Sequence, residues 1–342
     1  LVVPAPGILG NDTDAEGNML LADLVTDAAH GTLALATDGS FTYAPDAGFT
    51  GADSFTYRAY DGTAYSNTVS VTITVGDAPP VIAVAGADRF ATAIEASKLA
   101  YPDGLDPAGE RTVVIATGRN WPDALGGSAL AGALDGPLLL VDTNAIPSGV
   151  MTEIDRLGAT KAVILGGTAA VGPVVEAALK AELGSDAGIV TRVAGDNRYA
   201  TADAVAKRVI EVLGTAYDGM GFVATGGNFP DALAAAPLAA AQQWPLFLAH
   251  PTGGLSAATK AAMADVEEVL ILGGTSAVSV ATQNYLNTTY GDEDVTRLAG
   301  NDRYTTAVTI ASYAVTDAGH AWDRVGIATG ENFPDALAGG VL

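Results

Sequence analysis

Two rhythms of apolar and polar residues divide the chain. In the first, side chains alternate with a period of two. Thr32-Leu33-Ala34-Leu35-Ala36-Thr37 runs into Asp38-Gly39-Ser40 and out through Phe41-Thr42-Tyr43, which predicts a hairpin whose turn needs a positive φ. Residues 54–60 and 69–75 alternate likewise, so one face of each strand packs while the other stays wet. Short strands and Asp-Gly turns in so short a stretch predict a small all-β Ig-like sandwich over residues 1–77, followed by a linker, Gly76-Asp77-Ala78-Pro79-Pro80.

From residue 81 the rhythm changes. Apolar runs at 81–84, 112–116, 137–141 and 162–165 predict strands, and the stretches 89–100, 122–134, 148–157 and 173–183 between and after them predict helices. Continuous apolar strands separated by helices mean a parallel sheet covered on both faces, with right-handed crossovers. This part of the chain is α/β.

It also repeats itself. Ala85-Gly86-Ala87-Asp88-Arg89-Phe90-Ala91-Thr92-Ala93 returns at residues 194–202 and again at 299–307, with Arg89, Arg198 and Arg303 standing 109 and 105 residues apart. A second motif, Ala116-Thr117-Gly118-Arg119-Asn120-Trp121-Pro122-Asp123-Ala124-Leu125, returns at 224–233 and 328–337; a third, Ile164-Leu165-Gly166-Gly167-Thr168, returns at 271–275. A period near 105 is too long for solenoid units and suits tandem small domains. The units are 78–187, 188–292 and 293–342, and the pattern of the last stops about halfway, at Leu342. The chain opens on Leu1-Val2-Val3-Pro4, with neither Met nor a basic-then-apolar leader, and carries no apolar run of membrane-spanning length.

Within the second motif, Gly serves the turn after a strand, Pro suits the first helical position, and Asp123, Asp231 or Asp335 meets the positive end of the helix dipole. Asn120, Asn228 and Asn332 have no evident packing duty and stand at the carboxyl edge of the sheet, where open α/β folds bind ligands. Arg89, Arg198 and Arg303 begin helices, where the dipole disfavours a cation, so something must compensate: a carboxylate such as Asp123, Asp231 or Asp335, or an anionic ligand held in a fork. The internal Arg–Asp tie is the simpler of the two, because both partners recur together. The residue before the Arg varies, Asp88 and Asp302 but Asn197, which three equivalent catalytic sites would not readily tolerate.

Chemistry is otherwise sparse. With no Cys, thiol nucleophiles, disulfides and zinc–thiolate sites are excluded, and His30, His250 and His320 lie outside every repeated motif. No Gly-x-Gly-x-x-Gly, Gly-x4-Gly-Lys-Ser/Thr or Gly-x-Ser-x-Gly sequence was found. In the first segment Asp12, Asp14, Glu16 and Asn18 place oxygens at alternate positions, which can wrap calcium or simply form an acidic Asx-turn loop. The 342 residues carry 16 Lys and Arg against 39 Asp and Glu, a net charge of −23, and such a surface repels nucleic acid. Residues 1–77 hold one base and ten acids (−9), leaving −14 for the rest.

The segment 1–77, through Leu9-Gly10-Asn11-Asp12-Thr13-Asp14-Ala15-Glu16-Gly17-Asn18 and Gly51-Ala52-Asp53-Ser54-Phe55-Thr56-Tyr57, resembles the bacterial Ig-like or cadherin-like repeats of surface adhesins. The three recurring motifs together resemble the cell wall-binding repeat type 2 family of Gram-positive surface proteins, over residues 81–342. That resemblance implies three α/β modules in a pseudo-threefold arrangement, on a secreted surface protein held non-covalently by an anionic wall polymer. It implies a binding role without catalysis and without a required cofactor. The alternatives are a wall amidase or its accessory, since these repeats are sometimes joined to one, and a structural stalk or surface-layer unit. A polyanion requires a basic groove, so in so acidic a chain the few arginines must be concentrated, for instance at module junctions, or metal ions must bridge. The acidity and the five Lys also fit a salty habitat.

Overall fold

A computed structural model describes residues 1–14, 16–76 and 82–340 and divides into two compact units, Leu1–Ile82 and Ala83–Leu342. Most of the expected linker, residues 77–80, lies outside the described residues.

The first unit holds six strands: β1 (Val2–Val3), β2 (Leu21–Thr26), β3 (Gly31–Leu35), β4 (Phe41–Pro45), β5 (Gly51–Tyr60) and β6 (Val69–Val75). They form two antiparallel three-stranded sheets, β1-β4-β3 and β2-β5-β6. The predicted hairpin is β3–β4, with Leu35 opposite Phe41 and Gly39 at φ +84° in the turn. Phe41 and Tyr43 from one sheet and Phe55 and Ile73 from the other bury a common core, Phe41 and Phe55 meeting edge to face at 5.4 Å. Asp53 ties the two sheets. Only 4% exposed, it accepts hydrogen bonds from Tyr43 Oη at 2.8 Å and from the backbone N–H groups of Ala29, His30 and Ser54. Burial alone would raise its carboxyl, but these four donors overcome it and hold it down at about 2.

In the second unit, α1 (Arg89–Ala100), β7 (Thr112–Thr117), α2 (Gly127–Ala133), β8 (Leu138–Val141), α3 (Ser148–Leu157), β9 (Lys161–Leu165), α4 (Pro173–Leu183) and β10 (Val190–Val193) form one turn of the repeat. The second turn is α5 (Arg198–Leu213), β11 (Met220–Thr225), α6 (Pro230–Ala234), α7 (Ala236–Gln242), β12 (Leu246–Ala249), α8 (Ala257–Ala262), β13 (Glu268–Leu272), α9 (Val280–Tyr290) and β14 (Val295–Leu298). The third begins with α10 (Arg303–Thr316) and α11 (Pro334–Gly339). Both sheets are wholly parallel and equivalent, β10-β9-β7-β8 and β14-β13-β11-β12, with their central strands sealed on both faces. Among the described residues, no helix is long and apolar enough to cross a membrane.

Two expectations are corrected here. The strand before each Arg helix pairs backwards: β10 joins β9 of the preceding copy and β14 joins β13. Residues 82–84, the described part of the strand expected at 81–84, have no such neighbour among the described residues and form no strand. The helix expected over 122–134 is broken into a 3-10 turn, Pro122–Ala124, and α2. Gly126 and Gly127 sit at the break, and weak helix propensity there is offset by close packing, since a Cβ on Gly127 would overlap Leu138.

That break lets small residues bring three helices together. A Cβ on Gly132 of α2 would collide with the Ala240 carbonyl of α7, and one on Gly340, just past α11, would lie 2.6 Å from both Ala236 Cβ and Ser128 Oγ. One residue from each copy thus meets at a single point. Leu130, Leu238 and Leu337 share one buried core around it, so the three copies close on each other as a ring.

Candidate functional site

Each residue of the repeated motifs has a local reason to be where it is. Asp88, Asn197 and Asp302 are the N-caps of α1, α5 and α10; their side chains accept backbone N–H groups of the first turn. Carboxylate and amide oxygens serve equally, which explains the Asp/Asn variation. Thr92, Thr201 and Thr306 accept the N–H of Gly86, Gly195 and Gly300 at 3.0–3.1 Å, so each helix grips the loop leading into it. In the second motif Thr117, Thr225 and Thr329 accept the N–H two residues on, fixing the turn after the strand.

The arginines do not pair with the aspartates as the sequence led us to expect. Among the described residues no ion pair joins Arg89, Arg198 or Arg303 to Asp123, Asp231 or Asp335. Instead each guanidinium donates from Nη1 to the glycine carbonyl of the second motif, which in the first two copies follows β7 or β11: Arg89 to Gly118 at 2.6 Å, Arg198 to Gly226 at 2.9 Å, Arg303 to Gly330 at 2.5 Å. A carbonyl at the carboxyl end of a parallel strand has lost its ladder partner, and the arginine supplies one. The glycine itself is required because the Arg and the following aromatic lie across it; a Cβ on Gly118 would come 2.7 Å from Phe90 and 3.1 Å from Arg89 Cδ.

The remaining faces of the arginines reach across copies. The Arg198 guanidinium stands 4.9 Å from the Trp121 ring of the first copy, and that of Arg89 6.0 Å from Phe333 of the third. Asp231 of the second copy is pushed up by burial and pulled back by the charge of Arg303 in the third. The pairing therefore runs around the ring, second on first, third on second, first on third. The three aromatics follow: Trp121 lies 6.0 Å from Phe229, and Phe229 lies 6.1 Å from Phe333.

The asparagines immediately precede those aromatics. Each turns its Oδ1 to the next backbone N–H, at 2.9–3.0 Å, and all three residues are exposed with the amide nitrogen uncommitted. Asp123 and Asp231 lie over Gly166 and Gly273, the first glycines of the third motif, whose φ values of +86° and +92° no other residue adopts without strain. At the junction of the first and third copies these groups line a cleft of about 280 Å³ with Gly86, Asp88, Arg89, Thr92, Asn332 and Asp335 on its walls. The structure thus brings Arg89, Asn332 and Asp335 together at one copy junction, sets Arg198 beside Trp121 and Arg303 near Asp231 across the others, and gives Asn120, Asn228 and Asp123 partners only within their own copy among the described residues.

Two arginines were missed. Arg192 and Arg297 donate to the carbonyls of Gly166 and Gly273 at 2.7 and 2.6 Å, doing for the third motif what Arg198 and Arg303 do for the second. Their signal was present as Val-Thr-Arg followed by an aliphatic residue and Ala-Gly, at 190–195 and 295–300, but the first copy has Ala83 there. The acidic loop of the first unit does not converge on a point. Asp12 Oδ2 accepts Tyr57 Oη at 2.8 Å, and Asp14 Oδ1 accepts the Asn18 N–H, four residues on, at 2.7 Å. Among the described residues no three or more His, Asp and Glu side chains are placed to hold a metal.

Comparison with known proteins agrees with this architecture. The family described as Cell wall binding domain 2 (CWB2) matches residues 83–176, 192–283 and 297–342, and the Bacterial cadherin-like domain matches residues 1–77. N-acetylmuramoyl-L-alanine amidase LytC of Bacillus subtilis (strain 168) is 28% identical over 261 residues, covering 76% of this chain and 47% of the relative. Amidase enhancer of the same organism is 29% identical over 261 residues, 75% of this chain and 32% of the relative. The chain therefore spans less than half the length of either. Among solved structures, Cwp6 from Clostridium difficile superimposes with a TM-score of 0.60 at 19% identity, over 90% of this chain and 53% of its own. Cwp8 from Clostridium difficile gives 0.63 at 24% identity, over 86% and 51%. At these identities the likeness is one of fold. With three motif sets closing into one ring, and a cadherin-like domain preceding them in the sequence, this chain belongs to the cell wall binding domain 2 family.

Proposed function

We propose that the chain anchors a secreted protein non-covalently to an anionic cell-wall polymer, that the ring junctions carry the contact, and that the cadherin-like unit serves as spacer or adhesion module. The observation that supports this most is what remains of the motifs once their structural duties are subtracted. Three guanidinium groups are fixed by glycine carbonyls; Arg198 and Arg89 face an aromatic ring of another copy, Trp121 and Phe333, Arg303 stands near enough to Asp231 for its charge to act there, and an exposed asparagine precedes each motif aromatic. Among the described residues these groups keep donors without a hydrogen-bond partner, which suits phosphate or carboxylate groups along a polymer. The acidity of the rest of the surface then confines anion contact to the junctions. No set of acid, base and nucleophile recurs among them, and the role is one of binding. The amidase and amidase-enhancer relatives are consistent with a wall-directed protein in which such repeats hold a partner domain at its substrate.

Co-sedimentation tests this. The chain should pellet with purified walls and remain in the supernatant when the same walls have been stripped of secondary polymers. Equal pelleting in both would refute polymer recognition, and metal-dependent release of peptidoglycan by this chain would refute a non-catalytic role.

A further inference from the structure

The second copy contains a cleft apart from the copy junctions. In the first copy the fourth residue of the second motif is Arg119, whose guanidinium pairs with Asp142 and lies 5.6 Å from the Phe90 ring. In the third copy the same position is Glu331, which accepts the Tyr304 hydroxyl at 2.8 Å. In the second it is Gly227, packed against Pro251, and this copy has a cleft of about 210 Å³ lined by residues including Asn197, Tyr199, Asp203, His250, Gly254 and Ser256. Tyr199 replaces Phe90, and His250 follows β12 where Asp142 follows β8.

One wall of this cleft is an acid that the fold does not explain. Asp203 is 6% exposed; its Oδ2 accepts Thr259 Oγ1 at 3.1 Å, but Oδ1 has no partner. The same helix position is Ile94 in the first copy and Val308 in the third, so an aliphatic residue suffices for packing. A buried, half-satisfied carboxylate is costly without a role. Burial pushes its carboxyl up, and Lys207, one turn along, opposes this without forming an ion pair among the described residues. The rim carries polar groups with capacity left over. Asn197 uses only Oδ1, and His250 accepts backbone N–H groups at Nδ1, leaving its other ring nitrogen turned away from them.

We propose that this cleft binds a small organic cation, an ammonium or guanidinium group, seated between the Tyr199 ring and Asp203. The Tyr199 ring and the charge of the buried Asp203 carboxylate in the cleft wall supply the attraction. This site is separate from the junction donors, which select the opposite charge.

Titration of the isotope-labelled full chain with methylguanidinium chloride, at constant ionic strength, is the test. Saturable amide shifts are expected at Tyr199, Asp203 and His250. N-methylurea, neutral and of the same shape, should bind at least tenfold more weakly. Asp203→Asn and Asp203→Ile should each weaken methylguanidinium at least tenfold, and Asp203→Ile, which installs the residue of the first copy, should keep or raise the unfolding temperature. Soluble wall fragments bearing free amines, compared with the same fragments acetylated, separate the two sources of the cation. Displacement by the first set alone assigns it to the polymer, and displacement by neither assigns it to a free amine. Absence of saturation, equal binding of methylurea, or undiminished binding by a folded Asp203→Ile would overturn the proposal.

Discussion

The glycine carbonyl of the second motif decides the role of each motif arginine. Sequence recurrence pointed to an Arg–Asp tie because both partners are visible as letters, whereas a backbone acceptor is not; the structure gives the arginine to the carbonyl and lays the aspartate over Gly166 or Gly273. Gly166→Ala should therefore cost about 1–3 kcal/mol in chemical denaturation, from the left-handed backbone and from displacement of Asp123. In the sandwich, Asp53 makes a pH prediction. Its carboxyl is held at about 2 against an ordinary value near 3.8, so its contribution is complete above pH 4 and is lost as pH falls through 2. Asp53→Asn should lower the unfolding temperature of that unit at pH 7 and flatten its decline between pH 4 and 2.

At the scale of elements, the capping residues show why one motif position varies. Asp88→Asn should leave stability unchanged, because Asn197 caps α5 in the same way, while Asp88→Ala should cost about 1 kcal/mol. The small helices are less tolerant. Gly132 faces the Ala240 carbonyl, and Gly132→Leu would force α2 and α7 apart, costing about 1–3 kcal/mol or more and loosening the first copy from the second. Element types were legible in the sequence: the period-two hairpin, the apolar parallel strands and the long Arg helices all stand where the pattern put them. What was not legible depends on partners far along the chain. Residues 82–84 carry a strand-like pattern and form no strand, since strand formation there requires a neighbouring sheet. The break after Ala124 arises from glycine contacts made only in the folded ring.

For the whole molecule, closure of the ring is what converts three local motifs into a site. Arg198 meets Trp121 and Arg89 meets Phe333 only because first, second and third copies pack in a circle, and no reading of a single copy reveals those partners. The net charge of −23 makes the long-range field repulsive toward a polyanion, so the proposed function requires the attraction to be short-ranged and at the junctions. Salt screens the repulsion first, with a Debye length of about 10 Å at 0.1 M and about 3 Å at 1 M. Wall binding should consequently hold or strengthen between 0.1 and 0.5 M salt, whereas a broadly basic binder would weaken steeply. The most direct measurement is the affinity of purified wall polymer for the triple variant Asn120→Ala, Asn228→Ala, Asn332→Ala beside the unchanged chain. Each asparagine makes one local backbone contact, so the variant should keep its unfolding temperature within a few degrees while binding falls at least tenfold; a stable variant that binds as tightly as the original would contradict the junction account.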